Sequence, residues 1–181
     1  MQYVALLRGI NVGGNKKVPM EDLRKSFADM GFANAKTLLN TGNVVFGADE
    51  KEIKKVKEKV AIGLEKTFGW RIDVLLRTQE SLQTMVEEDP FTNIVVTPET
   101  RLYVTFLPEH VQSNLQIPYA SENKLLNILA LKDDALFSVL TLSQEGDSLK
   151  LMDVIGKEFG KQVTTRNWNT VKKIAELTVS S

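Results

Sequence analysis

The sequence predicts an α+β protein made of two ferredoxin-like (βαββαβ) subdomains, each followed by a helix. Three observations carry this. First, the apolar patterns of residues 1–91 read strand, helix, strand, strand, helix, strand, helix, and the first six elements are the split βαβ plan. Second, residues 101–181 repeat that order after a turn-rich, proline-containing stretch at 92–100. Third, Arg77-Thr78-Gln79-Glu80-Ser81-Leu82 lies over Arg166-Asn167-Trp168-Asn169-Thr170-Val171. In both, an arginine ends a strand, a capping residue follows, and apolar residues recur at matching offsets. The expected domains are therefore 1–91, a linker at 92–100, and 101–181.

Taken in order, residues 2–8 are apolar on both alternating faces, which marks a strand covered on both sides. A polar, glycine-rich loop covers 9–18. Pro19 suits a first helical position, with Glu21 and Asp22 in the positive first turn. Met20, Leu23, Phe27 and Met30 form one stripe, and Gly31 suits the position after the helix, so 19–30 are helical. Two short strands, 35–40 and 43–47, flank a Thr41-Gly42 turn. Asp49 is the expected cap of a helix carrying Ile53, Val56, Val60, Leu64 and Phe68, ended by Gly69. The charge run 50–59 reads as that helix's solvated face. Residues 70–76 are a strand. Thr78 caps a helix that stops before Asp89-Pro90.

In the second half, 101–107 are a strand and 108–123 a proline-interrupted connection with at most a short helix near His110–Leu115. Strands at 124–131 and 135–142 flank Lys132-Asp133-Asp134. A helix at 148–159 ends at Gly160, a short strand covers 161–165, and Asn167 caps a last helix with Trp168, Val171, Ile174 and Ala175 inward.

Composition removes many functions. The chain has 181 residues, 23 basic and 23 acidic side chains, no cysteine and one histidine. Without cysteine there is no disulfide scaffold, thiolate zinc site or thiol nucleophile. A single His110 argues against a histidine metal site or triad and reads as a surface residue. Balanced charge argues against bulk electrostatic binding to nucleic acid or membrane. No signal peptide or spanning segment is read, so a cytoplasmic protein with no membrane partner is expected. No cofactor and no metal ligand is assigned; magnesium carried in by a phosphate would need few protein ligands.

Two segments are candidates for chemistry. Arg8-Gly9-Ile10-Asn11-Val12-Gly13-Gly14-Asn15-Lys16-Lys17 joins a strand to a helix, and residues 1–20 hold three basic and no acidic side chains. Glycines and asparagines allow positive φ, so backbone N–H groups can converge on an anion at the helix start. In a 4-1-3-2 sheet the loop after strand 1 and the hairpin between strands 2 and 3 leave the same end, which puts Asn43 and its turn beside this loop. The second segment is Thr164–Thr170, where Arg166 offers a bidentate fork. Asn167 as a cap and Trp168 as core are the plain alternatives there.

The strings YVALLRGINVGG (3–14), TGNVVF (41–46) and TRNWNTV (165–171) resemble an uncharacterised bacterial family known as domain of unknown function 1697. The likeness runs over essentially the whole chain. That family often has serine before the hairpin glycine; Thr41 stands here and keeps the hydroxyl. The resemblance implies an α+β protein with ferredoxin-like subdomains and carries no activity over.

The function expected from the residues is binding of, or reaction on, a small anionic ligand, phosphate-bearing or nucleotide-like. Its place is the Arg8–Lys17 loop and the inter-domain cleft. The ligand-binding residues expected are Arg8, Asn11, Gly13, Gly14, Lys16, Asn43, Arg166, Asn167 and Trp168; no catalytic residue is assigned. Two other classes stand beside it. One is single-stranded nucleic-acid binding on a ferredoxin-like sheet, for which the central strands offer Tyr3 and Phe46. The other is a structural or self-associating protein without catalysis, monomer or homodimer.

Overall fold

The computed structural model describes residues 1–12, 16–32, 34–109, 111, 113–143 and 147–179, with backbone alone for 147–152. The chain forms two units, Met1–Glu87 with Lys172–Ser181, and Glu88–Val171. Both are built on the ferredoxin-like plan.

The first unit runs β1 (Gln2–Leu7), α1 (Met20–Asp29), β2 (Lys36–Leu38), β3 (Asn43–Gly47), α2 (Ile53–Phe68), β4 (Val74–Thr78) and α3 (Gln79–Glu88). The sheet order is β2-β3-β1-β4, all antiparallel. One face of β1, Tyr3, Ala5 and Leu7, packs in a core with Leu23 and Phe27 of α1 and Val56, Val60 and Leu64 of α2. Phe46 joins it, with ring centroids 5.0 Å from Phe27 and 4.7 Å from Phe32. Val4 and Leu6, on the other face, are equally buried. The missing alternation in residues 3–7 thus has its expected meaning: β1 is covered on both faces. Each buried Leu or Phe side chain contributes roughly 1.5–3 kcal/mol.

The helix ends follow local chemistry. Gly69 takes φ +78° and its N–H returns to Glu65 O at 2.8 Å, closing α2 in the left-handed conformation that glycine allows. Thr78 Oγ1 accepts the Ser81 N–H at 3.1 Å, the expected cap of α3. Asp49 is not the cap of α2. The N-cap is Glu52, which makes no side-chain capping bond, and its own N–H donates to the Glu50 carboxylate at 2.8 Å.

The second unit holds β5 (Thr100–Phe106), β6 (Tyr119–Ala120), β7 (Leu126–Lys132), β8 (Ala135–Thr141), α4 (Asp147–Phe159), β9 (Thr164–Asn167) and the start of α5 (Trp168–Glu176). Its order, β6-β7-β8-β5-β9, keeps the strand order of the first unit and adds edge strand β6; among the described residues no helix stands between β5 and β7, where the first unit has α1. Leu126, Ile128, Leu136, Leu140, Ile155 and Phe159 form its core on the α4 side. Where a short helix was expected, His110 and Gln112 lie outside the described residues, and Ser113–Leu115 form no helix. Glu158 Oε1 instead accepts bonds from Ser113 Oγ at 2.6 Å and from the backbone N–H groups of Asn114 and Leu115 at 3.0 and 3.1 Å. These bonds hold its carboxyl below the usual range, the serine hydroxyl first among them.

The repeat shows in the strand register. Tyr3 pairs with Thr78 and Val4 with Arg77; Tyr103 pairs with Asn167 and Val104 with Arg166. Arg77 and Arg166 also make the same local bond, Nη1 donating to the carbonyl of the preceding residue at 2.9 Å.

The sequence places 101–181 in one domain, whereas Lys172–Ser181 belongs with the first unit. A buried Gln79 side chain accounts for this: its Nε2 lies 3.0, 2.8 and 3.2 Å from the carbonyls of Ile174, Ala175 and Leu177. Gln2 Nε2 then donates to Val179 O at 3.1 Å and Lys36 Nζ to Thr178 O at 2.7 Å. Among the described residues, no helix is long and apolar enough to cross a membrane.

Candidate functional site

The loop after β1 and the β2–β3 hairpin do converge at one end of the first sheet. The Leu7 N–H donates to Gly42 O at 2.7 Å. Gly42 has φ +75°, and a Cβ there would stand 2.8 Å from Leu7 Cβ and 2.9 Å from Ile10 Cδ1. Only glycine fits both the torsion and the space.

Asn11 ties the rest together. Its Nδ2 donates to Asn40 O at 2.9 Å and Val18 O at 3.0 Å, and its Oδ1 accepts the Val18 N–H at 2.8 Å. Its own N–H donates to Lys16 O at 3.2 Å, closing the loop. Asn11, Lys16 and Leu39 all have positive φ, at 56°, 54° and 57°. Three non-glycine residues in that region, one of them leucine, make this a strained corner, and such strain clusters at functional sites. Gly13 and Gly14 lie outside the described residues.

Arg8 stands at the edge of this corner with its side chain 39% exposed. Its Nη1 lies 3.4 Å from Asp73 Oδ2, while Arg71 Nε lies 3.6 Å from Asp73 Oδ1. One carboxylate thus faces two guanidinium groups, and exposed Lys16 and Lys17 lie in the same loop. An exposed pair of this kind is worth about 0–1 kcal/mol, so an incoming anion can displace it. Asp73 and Arg71 were not singled out in the sequence; their signal is the alternation of the segment entering β4.

Asn43 does not join the surface of this corner. It is fully buried, and its Nδ2 donates to Leu38 O at 3.1 Å and Thr41 Oγ1 at 2.9 Å. A buried amide must be satisfied, and the hairpin satisfies it. Its part is therefore to build the turn.

Arg166, Asn167 and Trp168 have local roles in the second unit. Asn167 Oδ1 accepts the Asn169 N–H at 3.0 Å, an N-cap of α5. Trp168 is buried, its ring 5.3 Å from that of Phe91 in an edge-on contact. Arg166 Nη1 donates to Thr164 Oγ1 at 2.8 Å and Thr165 O at 2.9 Å. Burial pushes its guanidinium pKa down to about 10, so it stays cationic at neutral pH. By register Arg166 is the counterpart of Arg77, not of Arg8. Among the described residues, no cluster of three or more His, Asp or Glu is placed to hold a metal ion.

Two comparisons bear on this chain. The family model described as "Protein of unknown function (DUF1697)" matches residues 1–137. Among solved structures, the chain is similar to the conserved bacterial protein SP0830 from Streptococcus pneumoniae. The TM-score is 0.70 with 20% sequence identity, covering 97% of each chain, and it shows a shared fold. No curated protein matches the sequence.

Proposed function

We propose that this chain, which belongs to the DUF1697 family of proteins of unknown function, binds a small anionic, phosphate-bearing ligand at the Arg8 end of its first sheet. The observation that carries the reading is the Asn11 clasp. It ties Asn11, Lys16 and Val18 to one another and to the neighbouring hairpin, with Asn11 and Lys16 at positive φ, beside two arginines that share one carboxylate. Such preorganisation removes ordering entropy from binding. Arg8 supplies a charge-assisted contact, and Lys16 and Lys17 a basic rim.

The nucleic-acid reading gains no support from the sheet. Tyr3 and Phe46, the aromatics on its central strands, are buried against each other with ring centroids 5.9 Å apart. Neither ring is open to stack on a base.

Calorimetric titration with inorganic phosphate, pyrophosphate and AMP tests the proposal. At least one should bind, and Arg8→Ala should weaken it roughly tenfold or more, since a hydrogen bond to a charged group is worth about 1.5–3 kcal/mol. Equal affinity in wild type and Arg8→Ala, or binding of none of the three, would refute it.

A further inference from the structure

The first unit also holds a cavity of about 810 Å3 at the other end of its sheet, beside the Gln2–Gly47 pair. The size lies within the range of roughly 300–1,000 Å3 typical of small-molecule sites. Its walls come from the loops after α1 and β3, from α2, and from the C-terminal segment. Phe32, Val56 and Val179 give it an apolar lining.

Four charged side chains reach this cavity, and two are engaged. The Glu50 carboxylate accepts the Glu52 N–H at 2.8 Å, and Lys55 Nζ pairs with Glu52 Oε2 at 2.7 Å. The other two are Lys59 and Asp49. The Lys59 ammonium stands 4.8 Å from the centroid of the Phe32 ring, which fixes it over an aromatic face. Among the described residues, neither Lys59 nor Asp49 forms an ion pair, with each other or with a third group. Among the described residues, one cavity therefore presents a side-chain cation and a side-chain anion that form no ion pair, with apolar wall around them and the Met1 ammonium held on Ala48 O at 2.8 Å.

We propose that this cavity binds a small zwitterion of amino-acid or dipeptide type. The carboxylate lies on Lys59, the ammonium on Asp49, and an apolar side chain on Phe32, Val56 and Val179. A singly charged ligand would satisfy one group and leave the other unmatched. The site is separate from the Arg8 corner and does not depend on the phosphate reading.

The test is an NMR titration with L-leucyl-L-leucine, its N-acetyl form and its C-terminal amide. The free dipeptide should bind saturably, and each blocked form should bind roughly tenfold more weakly or worse, the loss of about one charged contact. Lys59→Gln should weaken the free dipeptide yet leave the amide unchanged; Asp49→Asn should weaken the free dipeptide yet leave the N-acetyl form unchanged. Both positions are exposed, so both variants should keep the wild-type amide spectrum outside the cavity. No saturation up to about 10 mM dipeptide, or equal losses for all three probes in each variant, would overturn the proposal.

Discussion

Gly42→Ala tests how the Arg8 corner is held. At φ +75° an L-residue pays roughly 1–2 kcal/mol of conformational energy. The new Cβ would also stand 2.8 Å from Leu7 Cβ and 2.9 Å from Ile10 Cδ1. The first contact is to the base of a buried side chain, which cannot swing away, and overpacking of that kind costs about 1–3 kcal/mol. The sum is about 2–5 kcal/mol, or roughly 4–20 °C in Tm for a chain of this size. Two other glycines separate the terms. Gly9 has φ +68° with nothing within 4 Å of a Cβ, so Gly9→Ala reports conformational energy alone, about 1–2 kcal/mol. Gly47 lacks a positive φ and is also open, so Gly47→Ala should stabilise by about 0.4–1 kcal/mol through the unfolded state. Thermal and urea unfolding of the three variants give the comparison. If Gly42→Ala falls within about 0.5 kcal/mol of Gly9→Ala, the close approach to Leu7 and Ile10 does not hold the corner, and the reasoning fails.

Two further outcomes concern single side chains. Gln79→Glu keeps the shape but turns an acceptor toward three carbonyls; stability at pH 7 should fall by about 3 kcal/mol or more. The folded-state pKa of that new carboxyl is raised, so stability should recover as pH drops and the protonated acid donates a hydrogen bond; equal losses at pH 4 and pH 7 would contradict this. Glu158 has a lowered folded-state pKa, so its contribution is present above the ordinary glutamate range and disappears as pH falls through the folded value. The Tm difference between wild type and Glu158→Gln should therefore shrink on acidification below pH about 4.3, and a constant difference down to pH 3 would count against the clasp on Ser113–Leu115.

Much of the fold was legible because apolar periodicity and capping chemistry are local. The doubly apolar run 3–7, the stripe Leu23-Phe27, and the caps Thr78 and Asn167 each needed only near neighbours. What escaped was decided at a distance. The tail joins the first unit through Gln79, a side chain some 95 residues earlier in the chain that looks like any helix-start glutamine. Strand β6 is two residues long, too short for any period to show. Asn43 looked like a ligand group because it is polar beside a glycine, yet the turn needs its amide. The cap of α2 falls at Glu52, three residues beyond Asp49, and makes no side-chain capping bond, so no capping residue type marks it in the sequence.

The second unit sharpens the reading of the first. Leu107 N–H donates to Asp134 O at 2.8 Å, the same lock that Leu7 N–H makes with Gly42 O at 2.7 Å. The backbone joint between first strand and hairpin is thus kept in both halves. The chemistry laid over it is not. In the first unit a basic loop leads from that joint into α1, and Asn11 pins it to the hairpin. In the second the hairpin turn is Asp133-Asp134, both at positive φ, and among the described residues the chain after β5 forms no α1-like helix but is gripped at Ser113–Leu115 by a carboxylate. A duplicated scaffold with one basic and one acidic corner cannot bind the same anion twice. Phosphate compounds should therefore bind with a stoichiometry of one at the Arg8 corner. Asp133→Ala should leave their affinity unchanged while Arg8→Ala lowers it, and a second equivalent phosphate per chain would show that the corners do not differ in the way their charges require.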